Sequence, residues 1–166
     1  MISAEDGIST VGLTIPMRAE YVSIARLTAA GVANRLGFDI ESIEDIKVSL
    51  SEVCNLIIKT AENLSDGFGG ECRIEFILSS NSLEIDFHIG NLEILNRFLP
   101  DNISSLRDVS GVTGKVVDMD RLYDMNNSGE YTDEQLQLSL IALLMDEFVV
   151  SPNKGCLVSM KKYLGC

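Results

Sequence analysis

The sequence predicts an α+β two-layer sandwich in which helices pack on one face of a mixed, mostly antiparallel sheet. Three stretches carry this prediction. Residues 43–63 have the apolar spacing of a long amphipathic helix, residues 72–89 alternate as two consecutive strands, and residues 148–164 contain a second strand pair around a Pro-Asn-Lys-Gly turn. The chain has 166 residues, which is the length of one domain spanning 1–166.

The N-terminal part predicts a strand followed by a helix. Residues 8–15 alternate weakly and indicate an edge strand that ends at Pro16. The next stretch has apolar residues at helical spacing and reaches a natural stop at Gly37. Arg26 lies off the apolar stripe, so we expect it to face solvent. It is either an ordinary surface residue or a contact for a protein partner.

The second helix is the most strongly patterned element of the sequence. Asp39 or Ser42 can cap it. Its opposite side carries a mostly polar row of Ser49, Glu52, Leu56, Lys59 and Asn63, in which the leucine is the exception. Its core side is formed by Ile43, Ile46, Leu50, Val53, Cys54, Ile57, Ala61 and Leu64.

The following hairpin is expected to have one buried and one solvated face. On its second strand Glu84, Asp86 and His88 alternate with the apolar residues and are assigned to the solvated face. His88 is then either a surface histidine or, less simply, a ligand or base. The apolar face comprises Cys72, Ile74, Phe76, Leu78, Leu83, Ile85, Phe87 and Ile89.

Periodicity weakens after Gly90. Residues 92–98 could form a short helix, and a loop-rich, lid-like insert is expected at about 100–132. Within it, residues 110–115 superficially resemble a phosphate loop but lack its spacing, so we interpret them as a loop. A third helix follows Thr132 or Asp133. It is apolar nearly all round, which predicts burial on more than one side.

Composition excludes several classes of function. The formal net charge of −12 argues against direct nucleic-acid binding and against an anionic membrane surface. No apolar run approaches the roughly 18–20 residues that span a bilayer, and the N-terminus lacks a signal-peptide pattern, so a cytoplasmic location is expected. The four cysteines, Cys54, Cys72, Cys156 and Cys166, have no paired short spacing, so we expect reduced thiols and no metal site.

Several segments resemble the anti-sigma factor serine kinases, a family of the histidine-kinase-like (GHKL) ATPase superfamily. The similar segments are Glu20 to Thr28, Gly31 to Gly37, Ile43 to Lys47, Ser51 to Cys54 and Leu144 to Glu147. The resemblance covers both ends of the chain in the right order. It implies the Bergerat-type ATPase fold.

The resemblance also implies where a nucleotide would bind. In this family the second helix carries a glutamate as general base and, four residues later, an asparagine that holds Mg²⁺. Here Glu52 matches the base, but Leu56 occupies the asparagine position. Leucine offers no oxygen to a hard cation. Asn55 is adjacent but points about 100° away around the helix, so it is a poor substitute.

The two glycine-containing boxes of the family are also altered. The D-x-G box that reads adenine aligns with Ile89 and Asn91, or, shifted by one residue, with His88 and Gly90. The G-x-G-L box that cradles phosphate aligns with residues 135–138, which read Gln-Leu-Gln-Leu. If a nucleotide binds at all, Asn55, Gly90 and Asn91 are the remaining candidates to contact it.

Two functions follow from the resemblance. The first is a regulatory protein that acts by protein–protein binding without conventional Mg-ATP binding, with Glu52 kept as a structural carboxylate and no cofactor. Its partners would be a sigma factor, an anti-anti-sigma protein or both, with Arg26 at the contact and a homodimer as the assembly. The alternative is an active ATP- and Mg²⁺-dependent serine kinase of an anti-anti-sigma protein, with Glu52 as the base. A third possibility is another small molecule in the altered, more apolar pocket.

Overall fold

The computed structural model describes residues 7–64, 70–90, 104–109, 112–125, 132–151 and 157–165. The helices are α1 (Val22–Leu36), which follows a 3-10 turn at Ala19–Tyr21, then α2 (Ile40–Glu62), α3 (Met119–Met125) and α4 (Asp133–Leu144). The strands are β1 (Ser9–Pro16), β2 (Glu71–Leu78), β3 (Ser82–His88), β4 (Ser104–Val109), β5 (Val112–Val117), β6 (Glu147–Ser151) and β7 (Leu157–Tyr163).

The strands form one seven-stranded sheet in the order β1-β2-β3-β7-β6-β5-β4. Every pairing between the described strands is antiparallel. The last strand therefore inserts beside β3, and the hairpin of β2 and β3 is joined to the C-terminal hairpin. The predicted α+β fold with a mostly antiparallel sheet is confirmed, and β1 is the edge strand that the N-terminal pattern indicated.

Local sequence signals set the end of α1 and the start of α2. Gly37 adopts the left-handed conformation, with φ of 90°, that ends α1. Asp39 is the N-cap of α2, because its Oδ1 accepts a hydrogen bond of 2.7 Å from the backbone N–H of Ser42. The same hydrogen bond lowers the pKa of Asp39 below its ordinary value. Of the two cap candidates in the sequence, the structure selects Asp39.

The core lies between the sheet and the helices, as the sequence predicts. On α2, Ile46, Leu50, Val53 and Ile57 are completely buried. The facing side of the sheet contributes Ile74, Phe76, Leu83, Ile85 and Phe87, which are also completely buried. This apolar layer fixes α2 across the middle of the sheet, and thereby fixes the direction in which its other side faces.

The expected lid-like insert is more regular than predicted where it is described. Residues 104–109 and 112–117 are strands that extend the sheet, and α3 follows them. Gly114, which the sequence places in a loop, lies in β5 because a Cβ there would clash with the Val149 side chain. The glycine serves close packing within the sheet, and the loop interpretation of residues 112–115 is wrong. Residues 92–98 lie outside the described part of the chain.

Two further expectations are corrected. Helix α4 buries Leu138 and Ile141 but leaves Leu136 50% and Leu143 77% exposed, so it is buried on one side only. Asp86 was assigned to a solvated face, yet it is only 7% exposed. Neighbouring side chains on the outer face of the sheet cover it, which a two-residue period cannot reveal. Among the described helices, none is long and apolar enough to cross a membrane.

Candidate nucleotide site between helices α2 and α4

The mostly polar row of α2 faces α4, which runs antiparallel to it, and only the end of the row at Lys59 and Asn63 is exposed to solvent. Near the end of α2, Lys59 Nζ forms an ion pair of 2.8 Å with Glu134 Oε1. In the middle, Glu52 meets Gln137. Near the start, Lys162 Nζ donates both to Asp45 Oδ2 at 3.0 Å and to the backbone carbonyl of Leu144 at 2.7 Å. These contacts tie the two helices together along their length.

Glu52, the candidate general base, is held by a side chain of α4. Gln137 Nε2 donates a hydrogen bond of 2.8 Å to Glu52 Oε2. Such a bond to an ionised acceptor is stronger than one between neutral groups. The carboxylate is therefore oriented toward α4, and Gln137 is one of the two residues at the glycine positions of the phosphate-binding box. A side chain thus stands where backbone amides would approach a phosphate.

Leu56 lies on α2 between Glu52 and Lys59, the two residues that contact α4 directly, and is 3% exposed. It packs as a core residue and provides no oxygen ligand at the position of the family's magnesium asparagine. Asn55 is exposed and lies on another side of the helix. The structure therefore does not bring Asn55 to Glu52, as the helical geometry predicted. Ser49, on the same row, is completely buried, and its Oγ has no hydrogen-bond partner among the described residues.

The N-terminus of α4 is closed by its own side chains. Thr132 Oγ1 accepts from the N–H of Gln135 at 3.3 Å, and Gln135 Oε1 accepts from the N–H of Thr132 at 3.0 Å. This capping box satisfies amides that could otherwise bind an anion. Asp133 and Glu134 add negative charge in the first turn. Both features disfavour a phosphate at this helix end.

At the adenine side of the site, the described residues at the end of β3 place no carboxylate on the helix-facing side of the sheet. Ile89 is 1% exposed and Gly90 is exposed, while Asn91 lies outside the described residues. His88 Nε2 lies 2.9 Å from Glu75 Oε2 on the outer face, so His88 is an outer-face residue with a carboxylate partner. Asp86 is on that outer face too, because it alternates with Ile85 and Phe87.

Asp86 is an unusual group in its own right. Its Oδ1 is buried without a hydrogen-bond partner among the described residues. Burial raises the pKa of this carboxyl from 3.8 to about 6, with nearby Ser159 acting in the opposite direction. The alternation of apolar and polar residues in the sequence did not predict that Asp86 is buried. The only signal was its central position in the strongest hairpin.

The structure brings Glu52, Leu56 and Gln137 together and leaves Arg26 apart from them, exposed on α1. Gln137 was recognised only as a lost glycine, and its bond to Glu52 was not predicted, because periodicity does not specify which helices are neighbours. Among the described residues, no group of three or more His, Cys, Asp or Glu side chains is arranged to hold a metal ion.

The fold and this helix pair define a histidine-kinase-like ATPase domain. No protein-family profile matches the sequence. Curated relatives named serine-protein kinase RsbW are similar over most of their length. The chain is 35% identical to that of Bacillus cereus strain G9842 and 37% identical to that of Bacillus anthracis, in each case over 93% of this chain and 84% of the relative. The chain belongs to the RsbW family of anti-sigma factor serine kinases.

Proposed function

We propose that this protein is an anti-sigma-factor-type regulator that acts by binding other proteins and does not bind Mg-ATP in the manner of its family. The observation that carries the proposal is the hydrogen bond from Gln137 to Glu52 beside the buried Leu56. The position of the base is occupied by an interhelical contact, and the position of the magnesium ligand by a core leucine.

Three physical effects oppose nucleotide binding here. Displacing Gln137 would break its hydrogen bond to the Glu52 carboxylate, at a cost of about 1–2 kcal/mol for this partly buried pair. A magnesium ion would lose one of the oxygen ligands that it requires. The triphosphate would meet Asp133 and Glu134 in the first turn of α4 in place of free amides.

Calorimetric titration with Mg-ATP tests the proposal. We expect no binding isotherm up to about 1 mM ligand, which corresponds to a free energy weaker than about −4 kcal/mol. The Bacillus anthracis relative, titrated in parallel, serves as the positive control. Micromolar binding by this chain would refute the proposal.

The partners that we propose are a sigma factor, an anti-anti-sigma protein or both. Arg26 supports this, because it is exposed and forms no ion pair among the described residues, and arginine is enriched at interfaces. Arg26→Ala should weaken partner binding at least about tenfold in a pull-down or surface-binding assay. Arg35→Ala, another exposed arginine of α1, is the matched control. Equal loss in both variants would remove the special role of Arg26.

A working serine kinase is the second candidate, favoured by the relatives' name and by the retention of Glu52. It predicts transfer of the γ-phosphoryl group to a serine of the partner, and loss of that transfer in Glu52→Gln. Incubating the protein and its affinity-purified partner with γ-labelled ATP distinguishes the two candidates. Labelled partner that disappears in the Glu52→Gln variant would establish the kinase.

We also propose a homodimer formed through β1. This strand has a hydrogen-bonded neighbour on one side only among the described strands, and its eight residues carry no charge. Ile8, just before the strand, is 75% exposed, and Val11, within it, is 40% exposed. An uncharged open edge is a template for pairing with another chain. Val11→Lys should convert a dimer to a monomer in light scattering, whereas Leu27→Lys on α1 should not.

A cytoplasmic location completes the proposal. Cys54 and Cys72 are buried free thiols, and burial raises the pKa of Cys72 to about 12. Unpaired thiols are typical of a reducing compartment. Fractionation of the source cell, with the protein recovered in the cytosolic fraction, checks this.

A further inference from the structure

A half-open cleft of about 290 Å³ lies beside α4, away from α2. One wall is the junction between β5 and α3, and the other is the turn from α4 into β6. The N-terminus of α4 is about 13–18 Å along the helix from Ala142 and Met145, which line the cleft, at about 1.5 Å per residue. The cleft is therefore separate from the candidate nucleotide site, and none of the residues discussed for that site lines it.

The floor of the cleft is apolar. Val117, Met145 and Phe148 line it and are 8%, 4% and 5% exposed. Met119 stands at the mouth and is 48% exposed, so its thioether side chain is free to repack around an incoming group. A floor of this kind suits an aliphatic or methylene side chain.

The rim of the cleft is acidic. Four carboxylates line it, from Asp118, Asp120, Asp146 and Glu147. Asp118 caps α3 by accepting from the N–H of Arg121 at 3.2 Å, and the guanidinium of Arg121 lies 3.4 Å away. Asp146 Oδ2 accepts from the Tyr163 N–H at 2.6 Å, and Glu147 Oε1 accepts from the Tyr163 hydroxyl at 2.5 Å. These bonds hold Asp146 and Glu147 in place, and the neutral tyrosine donors add no positive charge to them.

Among the described residues, Arg121 and Lys161 place positive charge near the rim. Arg121 pairs with Asp118. Lys161 lies close to Glu147 but forms its 2.8 Å ion pair with Glu84. The rim therefore keeps a negative potential, in a protein whose net charge is −12. This excludes phosphates and other anions as occupants and favours cations.

We propose that the cleft binds a basic, amphipathic peptide segment of a protein partner. An arginine or lysine of the segment lays its aliphatic stem on Phe148 and Met145 and places its charge among the rim carboxylates. Elsewhere on α4, Leu136, Leu140 and Leu143 form an exposed apolar row about 10 Å long. Apolar residues of the same segment cover that row.

The test uses the full chain and a fluorescent synthetic peptide that alternates leucine and arginine. We expect the peptide to bind in an anisotropy titration, and its glutamate-for-arginine counterpart not to bind. Asp120→Lys, at the rim, and Ala142→Leu, which narrows the cleft, should each weaken binding at least about tenfold. Glu62→Lys and Ala30→Leu make the same changes on the exposed end of α2 and on α1, and should leave binding within about twofold.

Two outcomes overturn the proposal. Absence of binding by the wild-type chain is one. Equal weakening by Asp120→Lys and Glu62→Lys is the other, because it would assign the attraction to overall charge. If the cleft variants do not fold, the methyl chemical shifts of the wild-type protein show whether the peptide binds in the cleft. We expect the signals that shift on peptide addition to be those of Met119, Met145 and the leucines of α4. Shifts of other methyl groups would contradict binding at the cleft.

Discussion

Helix α2 and strand β3 cross the middle of the molecule, and each turns one face to the same apolar core. Their other faces differ. That of α2 is covered by a second helix, α4, and the hydrogen bond from Gln137 to Glu52 joins the two, although Ser49 Oγ on this face has no partner among the described residues. That of β3 is the outer face of the sheet, where Asp86 is buried and its Oδ1 has no partner within the described part of the chain. Periodicity in the sequence therefore identifies the core side of an element, while the chemistry of the other side depends on which element covers it.

The largest effects are expected on the shared core faces. Phe87→Ala on β3 and Leu50→Ala on α2 remove completely buried side chains, so each should lower the free energy of unfolding by about 3–5 kcal/mol. Urea unfolding measures this. Leu143→Ala on α4 is the matched control, and since Leu143 is 77% exposed its effect should stay below about 0.5 kcal/mol. Similar losses at Leu50 and Leu143 would contradict the one-sided burial of α4.

The outer face of β3 should show the next largest effect, as a dependence on pH. Because the pKa of Asp86 is raised to about 6 in the folded protein, its contribution to stability is greatest below its ordinary pKa of 3.8. That contribution is lost as the pH rises through about 6. Asp86→Asn cannot ionise, so its stability relative to wild type should increase between about pH 4 and pH 7 by on the order of 2 kcal/mol.

Urea unfolding of both proteins across this pH range measures the difference. Glu44→Gln, on α2, is the control for a carboxylate that pairs with a lysine and lies apart from Asp86. A difference between Asp86→Asn and wild type that does not change with pH would show that Asp86 is not desolvated.

The covered face of α2 should show a smaller, pairwise effect. A double-mutant cycle of Glu52→Ala and Gln137→Ala should give a coupling energy of about 1–2 kcal/mol, as expected for a hydrogen bond to a charged group. The same cycle between Glu44→Ala and Gln137→Ala should give none, since Glu44 pairs with Lys47. Zero coupling in the first cycle would mean that Glu52 is free, as the kinase alternative requires.

The smallest effect is expected at the exposed end of the same interface. Lys59 and Glu134 form an ion pair, but their side chains are 46% and 50% exposed. Solvent and salt screen such pairs, so Lys59→Ala should leave the midpoint of urea unfolding unchanged within error. A clear shift of that midpoint would show that this end of the interface also stabilises the fold.

Much of the fold could be predicted because burial leaves a period in the sequence. The core side of α2, the β2–β3 hairpin, the edge strand and the stop at Gly37 all follow from local patterns. Strand β5 could not be predicted from a local pattern. Its Gly114 packs closely against Val149, a residue far away in sequence. The exposed leucines of α4 were mispredicted for a related reason. Hydrophobicity alone does not specify how many sides of a helix have neighbours.

The candidate site was predictable only in its parts. The resemblance placed Glu52 and Leu56 on one row of α2 and identified residues 135–138 as an altered box. That Gln137 would bond Glu52 required knowledge that α4 runs antiparallel beside α2. The burial of Asp86 likewise depends on side chains from β2 and β7 that surround it.

The alkylation rates of two buried cysteines, Cys54 and Cys72, can report how often the core of the domain opens. Cys54 lies on α2 and is completely buried, and Cys72 lies on β2 and is 1% exposed. Burial raises the pKa of both thiols, so neither is a thiolate while the core is closed. Each reacts with an alkylating reagent only during an excursion that separates helix from sheet. Labelling rates at the two positions, read from their peptides, would report whether α2 and β2 open together or separately.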